Sequence, residues 1–211
     1  MKRADLSLAL LAVVLFTPLF AVRTVGPLDF WWWMSADVAV LVAFSFILDR
    51  EYRAVVFSDL ASGKAKKIGL GILSALLLYA VFSCGNWAAP RILSFARADI
   101  SEVYSFKGGA SVLKIVLLLV FIIGPGEELF WRGFLQRRLQ DRLGRSAGYL
   151  LATGLYTLVH LGTGNLSLLG AAAICGAAWG FLYSRCRSVL LVAVSHVLWD
   201  LMVFVLFPFK G

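Results

Sequence analysis

The chain has 211 residues, 61% of them hydrophobic and only 15% charged, with a mean hydropathy of +0.86. A soluble domain is about a quarter charged, so a single water-solvated core is excluded, and the seven Trp suit a chain with bilayer interfaces. The net charge of +8 sits in short loops beside apolar runs, where topology and anionic headgroups account for it without nucleic acid as a partner.

Lys2 and Arg3 precede an apolar run over 6–22 that has the layout of a signal peptide. No small-x-small cleavage site follows, and a retained first span is expected. Trp31-Trp32-Trp33 opens a second apolar segment over 31–48, with the Trp triplet as interfacial anchor and Asp37 just inside it, facing either the bundle or, as an interfacial acid, the headgroups. The polar stretch over 49–67 carries Arg50, Arg53, Lys64, Lys66 and Lys67 around a surface-lying amphipathic piece. A third span is expected over 68–87, then an interfacial loop or short helix over 91–107.

The fourth span starts near Val112 and is expected to kink or break at Gly124-Pro125-Gly126, because proline lacks an amide donor and clashes with the preceding turn. A short fifth segment over 147–161 ends at His160 before the turn-like Gly162-Thr163-Gly164-Asn165. The sixth, over 166–183, is dense in Gly and Ala, which permits close helix contact. The seventh covers 189–209 and contains Ser195, His196 and Asp200.

The expected fold is an all-α, polytopic transmembrane helical bundle of about seven spans (six to eight), with a kinked, motif-bearing fourth span. Residues 1–211 read as a single integral membrane domain, with 112–206 as its catalytic core. A cytoplasmic N-terminus puts 14 of the 20 basic residues on the cytoplasmic side, as the positive-inside rule requires. Cys84, Cys175 and Cys186 show no CxxC spacing and read as packing residues. No internal repeat supports an inverted-repeat transporter.

Polar groups inside apolar segments carry the functional reading. Glu127 and Glu128 follow the Gly-Pro-Gly break, His160 ends the fifth segment, and His196 and Asp200 lie within the seventh. On a helix, Glu128 and Arg132 are four apart, as are His196 and Asp200, so each pair shares a face. Buried singly, such groups are costly; paired and hydrogen-bonded they cost much less. A Glu opposed to a His suits activation of water, and a second His with an acidic neighbour suits stabilisation of an oxyanion. Arg132 would neutralise Glu128. The competing readings are a lipid-boundary role for the two glutamates, a capping role for His160 and a structural pair for His196 and Asp200. Zinc is the alternative cofactor reading, since Glu, His and Asp are legitimate ligands. There is no HExxH, and a metal-free glutamate mechanism without a cofactor is favoured.

The segment Glu127-Glu128-Leu129-Phe130-Trp131-Arg132 resembles the EExxxR motif of the CPBP family, the CAAX proteases and bacteriocin-processing enzymes, also called Abi. Tyr156-Thr157-Leu158-Val159-His160 resembles its aromatic-xxx-His motif, and His196-Val197-Leu198-Trp199-Asp200 its HxxxN or HxxxD motif. The resemblance covers about the C-terminal half of the chain. It implies an intramembrane endopeptidase in which Glu127 and His160 activate water and His196 and Asp200 serve the oxyanion, with Glu128 and Arg132 in support. It also implies a membrane-anchored protein or peptide as substrate and, with the compact chain, a prokaryotic plasma membrane as location. Asp200, where the prenyl-processing members carry Asn, sets this chain apart from them, because an ionised Asp cannot donate a hydrogen bond. The rival expectation is a non-enzymatic membrane chaperone, immunity protein or transporter component.

Overall fold

In lipid no water is present to receive backbone amides, so an apolar chain satisfies them along its own helices. The computed structural model describes residues 3–209, with side chains from Ser7 onward. Lys2, Lys210 and the Arg3 side chain, which enter the charge-bias reading, lie outside the described residues. The helices are α1 (Arg3–Val22), α2 (Phe30–Leu48), α3 (Arg50–Ala61), α4 (Lys64–Ile92), α5 (Ala96–Ser105), α6 (Val112–Leu118), α7 (Gly124–Glu128), α8 (Arg137–Leu143), α9 (Arg145–Val159), α10 (Leu166–Cys186) and α11 (Val189–Leu201). Wider π turns at Leu119–Ile123 and Leu129–Gln136 join α6, α7 and α8 into one helical rod. A 3₁₀ turn, His160–Thr163, closes α9, and a π turn, Met202–Leu206, extends α11.

The all-helical expectation stands, and the span count does not. Among the described residues four helices are long and apolar enough to cross a membrane: Phe30–Leu48, Lys64–Ile92, Leu166–Cys186 and Val189–Leu206. The expected seven spans are corrected to these four because apolar runs do not all become long apolar helices. The first run gives, among the described residues, only a shorter apolar helix over Ser7–Val22. The fifth is the 15-residue α9. The fourth turns polar partway, where the rod reaches Glu127, Glu128 and Arg132. The chain is an integral membrane protein: α4 presents Leu70, Ile72, Leu73, Leu76, Leu77 and Val81 outward, a face suited to lipid and not to water.

Local chemistry starts and holds these elements. Asp29, Ser111, Asn165 and Ser188 each accept the amide of the residue three ahead, capping α2, α6, α10 and α11. Asp49, between α2 and α3, binds Arg137 and Arg138 of α8 at 2.7 Å each. Partial burial opposes ionisation of Asp49, but the Tyr52 amide and the two guanidiniums outweigh it and hold its carboxyl below the usual range. At the other end of the molecule Arg23 pairs with Glu102 at 2.5 Å and Lys114 with Asp29.

The kink or break expected at Gly124-Pro125-Gly126 takes the form of a widened turn, through which the helix continues. Just before Pro125 the helix widens, and the Gly124 amide bonds back five residues to Leu119. This turn accommodates a residue that has no amide hydrogen of its own. The two glycines serve contact: a Cβ at Gly124 would lie 2.7 Å from Val197 Cγ2, and one at Gly126 would overlap the Val38 side chain. Both α11 and α2 therefore press directly on the stretch that carries the glutamates.

Candidate active site

Glu127, Glu128 and Arg132 are buried, with exposures of 5%, 0% and 2%. The π turn over Leu129–Gln136 frees backbone groups from the usual pattern, and the Tyr52 hydroxyl donates to the Leu129 carbonyl at 2.5 Å. Arg132 donates to Glu128 Oε1 at 3.0 Å, the pair that the four-residue spacing predicts. Its guanidinium lies 4.5 Å from the Tyr156 ring centroid and 5.5 Å from that of Trp179, so the charge is matched by aromatic faces as well as by the carboxylate.

His196 is the hub of the acids. Its Nδ1 lies 2.8 Å from Glu128 Oε1; its Nε2 lies 3.5 Å from Glu127 Oε2 and 3.4 Å from Asp200 Oδ2. A carboxylate engaged by Arg132 can only accept, so Nδ1 carries the hydrogen. Nε2 then faces the other two acids. Three carboxyls meet one guanidinium and one imidazole, so with His196 as imidazolium the five groups are neutral when one of the three acids holds a proton. The ring plane is fixed by Trp179, stacked at 3.8 Å and 21°. Trp179 in turn donates to the Ser195 hydroxyl at 3.2 Å, which donates to Ser74 on α4 at 3.1 Å.

His160 stands apart from that cluster but opens onto the same space. Its Nδ1 donates to the Tyr156 carbonyl at 2.8 Å, which leaves Nε2 as the lone-pair nitrogen of the neutral ring. Phe20 of α1 (4.6 Å between centroids) and Tyr156 (5.0 Å) hold the ring. No hydrogen bond or ion pair joins His160 to Glu127 among the described residues. Glu127, His160, His196 and Asp200 all line one cavity of about 450 Å³, whose remaining wall is mainly apolar and aromatic. Neither histidine faces lipid; their exposures are 7% and 4%.

Residues 109–202 match a family model described as type II CAAX prenyl endopeptidase Rce1-like. The likeness is to a CAAX-protease-like domain and covers less than half of the chain. All six motif residues fall inside the matched stretch of this membrane-embedded protein. None of the curated proteins and none of the solved structures matches the chain. Among the described residues no three His, Cys, Asp or Glu groups are arranged to hold a metal ion together. Each histidine has one ring nitrogen already committed, His160 to a carbonyl and His196 to Glu128.

Several residues that build this candidate site carry no sign in the sequence. Trp179, Phe20 and Ser74 come from α10, α1 and α4, outside the three motifs, and act by contact alone. Gly162 sits against the Thr17 backbone, where a Cβ would come 2.5 Å from its carbonyl, so α1 braces the turn that holds His160. The one signal available was the concentration of aromatic residues in the apolar runs, which does not distinguish core from site.

Proposed function

We propose that the protein is an intramembrane endopeptidase that hydrolyses a peptide bond of a membrane-anchored protein or peptide with a glutamate-activated water. The observation that supports this reading is the gathering of Glu127, His160, His196 and Asp200 from three separate parts of the chain around one apolar cavity. In the mechanism, Glu127 takes a proton from a water that the lone pair of His160 Nε2 orients. The hydroxide attacks the scissile carbonyl, a C–O bond forms, and negative charge moves to the carbonyl oxygen. His196, its Nδ1 anchored on Glu128, stabilises that oxyanion through Nε2–H. Asp200 acts through His196, keeping the proton on Nε2. Collapse breaks the C–N bond, and the proton held by Glu127 passes to the leaving amine.

Membrane placement follows from charge. Arg137, Arg138, Arg145 and Arg187 gather where Asp49, Asp141 and the end of α10 meet. By the positive-inside rule we assign this end, with the N-terminus, to the cytoplasmic side. The test is co-expression with membrane-anchored proteins and CAAX-like peptides of the same genome, read by intact mass, with Glu127→Ala as control. A product that appears with the wild type and not with the variant is expected; a product that persists with the variant overturns the reading. Treatment of the purified protein with a strong chelator separates the zinc alternative. The glutamate mechanism keeps its rate, whereas a loss restored by added zinc reassigns the acids and imidazoles as ligands.

A further inference from the structure

Where a residue lines the cavity and is also exposed on the outside of the molecule, the cavity has its rim. Among the described residues these are Val81 and Gly85 on α4, Leu93 and Phe95 where α4 gives way to α5, and Leu166, Gly170 and Ile174 on α10. Leu166, Gly170 and Ile174 are spaced by four and share one face of α10, as Val81 and Gly85 do on α4. The lining residues of α1, α2, α9 and α11 are buried or half-buried. One end of the rim is tied off by α5: the Ser167 amide donates to Asp99 Oδ2 at 3.0 Å, and Asn165 Nδ2 donates to the Asp99 carbonyl at 2.9 Å. The cavity therefore opens sideways, between α4 and α10. Both helices are apolar and long enough to span the membrane, so the opening faces lipid.

The two glycines of this rim differ from others on the same helices. Gly71 and Gly176 are small because another helix presses on them: a Cβ would come 2.8 Å from the Leu191 carbonyl oxygen and 3.0 Å from the Tyr156 ring. A Cβ at Gly85 or Gly170 would meet nothing within 4 Å. Glycine weakens a helix interior. Its presence on both edges of the opening, with no packing to require it, suits a gap through which something passes.

The wall indicates what passes. The rim is apolar, and an apolar segment crosses it without losing polar partners. The interior holds Glu127, His160, His196 and Asp200, and His160, only 7% exposed, has no donor to its Nε2 among the described residues. A hydrocarbon chain against these groups would leave them without polar partners, whereas a peptide brings an amide to them at almost every residue. We propose that the gap between α4 and α10, kept wide by Gly85 and Gly170, is the lateral entrance through which an apolar, extended segment of a membrane-anchored polypeptide reaches the cavity from the bilayer. The fate of that polypeptide rests on the endopeptidase reading; the entrance itself concerns access alone.

The test uses full-length protein carrying Glu127→Gln in phosphatidylcholine liposomes. The probe is an N-myristoylated Leu/Ala decapeptide amide with a diazirine-bearing leucine, and a phosphatidylcholine with a diazirine in its acyl chain is used separately. After illumination, labels are mapped by mass spectrometry on Cys175, Trp199 and Val203, buried residues that line the cavity. The peptide probe is expected to label them in the parent, and about tenfold less or lower in Gly85→Leu/Gly170→Leu, where side chains fill the gap. Gly85→Ala/Gly170→Ala should fall between the two. Gly69→Leu and Gly154→Leu, at positions equally open but away from the cavity, should label as the parent does. Thermal unfolding checks the fold: with free space at both positions, the filled variants should unfold no earlier than the parent, and earlier unfolding would contradict the open gap itself.

Undiminished labelling in the filled variant, no peptide label on the three buried residues of the parent, or labelling by the lipid probe in place of the peptide would overturn the proposal. Labelling as predicted together with no cleavage by the protein with Glu127 intact would keep the entrance and remove the protease reading. Cleavage as fast in Gly85→Leu/Gly170→Leu as in the wild type would keep the protease reading and remove the entrance.

Discussion

Arg132→Met is the perturbation whose magnitude the structure sets most firmly. Arg132 and Glu128 are 2% and 0% exposed and 3.0 Å apart, so the charge left on Glu128 after the substitution has no water to turn to. Breaking a buried pair from one side costs about 3–5 kcal/mol. Loss of the guanidinium from the faces of Tyr156 and Trp179 adds roughly 1 kcal/mol or more. Removing both charges is a different experiment. In Glu128→Gln/Arg132→Met the amide oxygen still accepts from His196 Nδ1, and the double variant should lie within about 1 kcal/mol of wild type. The assay is reversible unfolding in mixed detergent and SDS micelles for all four members of the cycle, with the coupling energy read directly. A single variant costing under about 1 kcal/mol, or costs that simply add, would refute the claim that the rod is held by a desolvated ion pair.

Trp179→Ala removes the ring stacked on His196 and should lower kcat about a hundredfold with KM little changed, while Trp179→Phe retains most of the rate; steady-state kinetics on any identified peptide checks both. Gly126→Leu drives a side chain into Val38 and should separate α2 from the rod, costing about 1–3 kcal/mol or more in the same unfolding assay. Hydrogen bonds from Arg23 and Asn165 hold the Glu102 carboxyl below its ordinary range. The folded-state value is depressed, so this contribution is present above the unfolded value and is lost as pH falls through the folded one. Wild-type melting temperature should therefore fall more steeply than that of Glu102→Gln on acidification through the carboxylate range, and parallel curves would remove the pair's role.

Pairings within one helix were legible because spacing is geometry: Glu128 with Arg132 and His196 with Asp200 follow from a period of 3.6 residues. The approach of His196 to both glutamates was not, because it depends on how α11 packs on α7 through Gly124, a contact between residues far apart in the chain. Hydropathy located the helices but overcounted the spans, since a run's apolarity does not reveal where the helix will stop or widen. The rod reaches Pro125 after a π turn, where proline's missing donor read as a kink or break. The short amphipathic piece expected within the polar stretch over 49–67 is the longer α3, whose Tyr52 supplies a hydrogen bond to the rod that the sequence did not reveal. Phe20 and Trp179 could be found only by packing.

The central claim is that Glu127 activates the water that cleaves the bond. The most direct measurement is the single-turnover rate of peptide cleavage by purified protein in liposomes, wild type against Glu127→Gln, with both shown to unfold at the same temperature. The account predicts a loss of about a thousandfold or more with peptide binding retained, as removal of a reacting group requires. A Glu127→Gln protein that cleaves within about tenfold of the wild-type rate would contradict it.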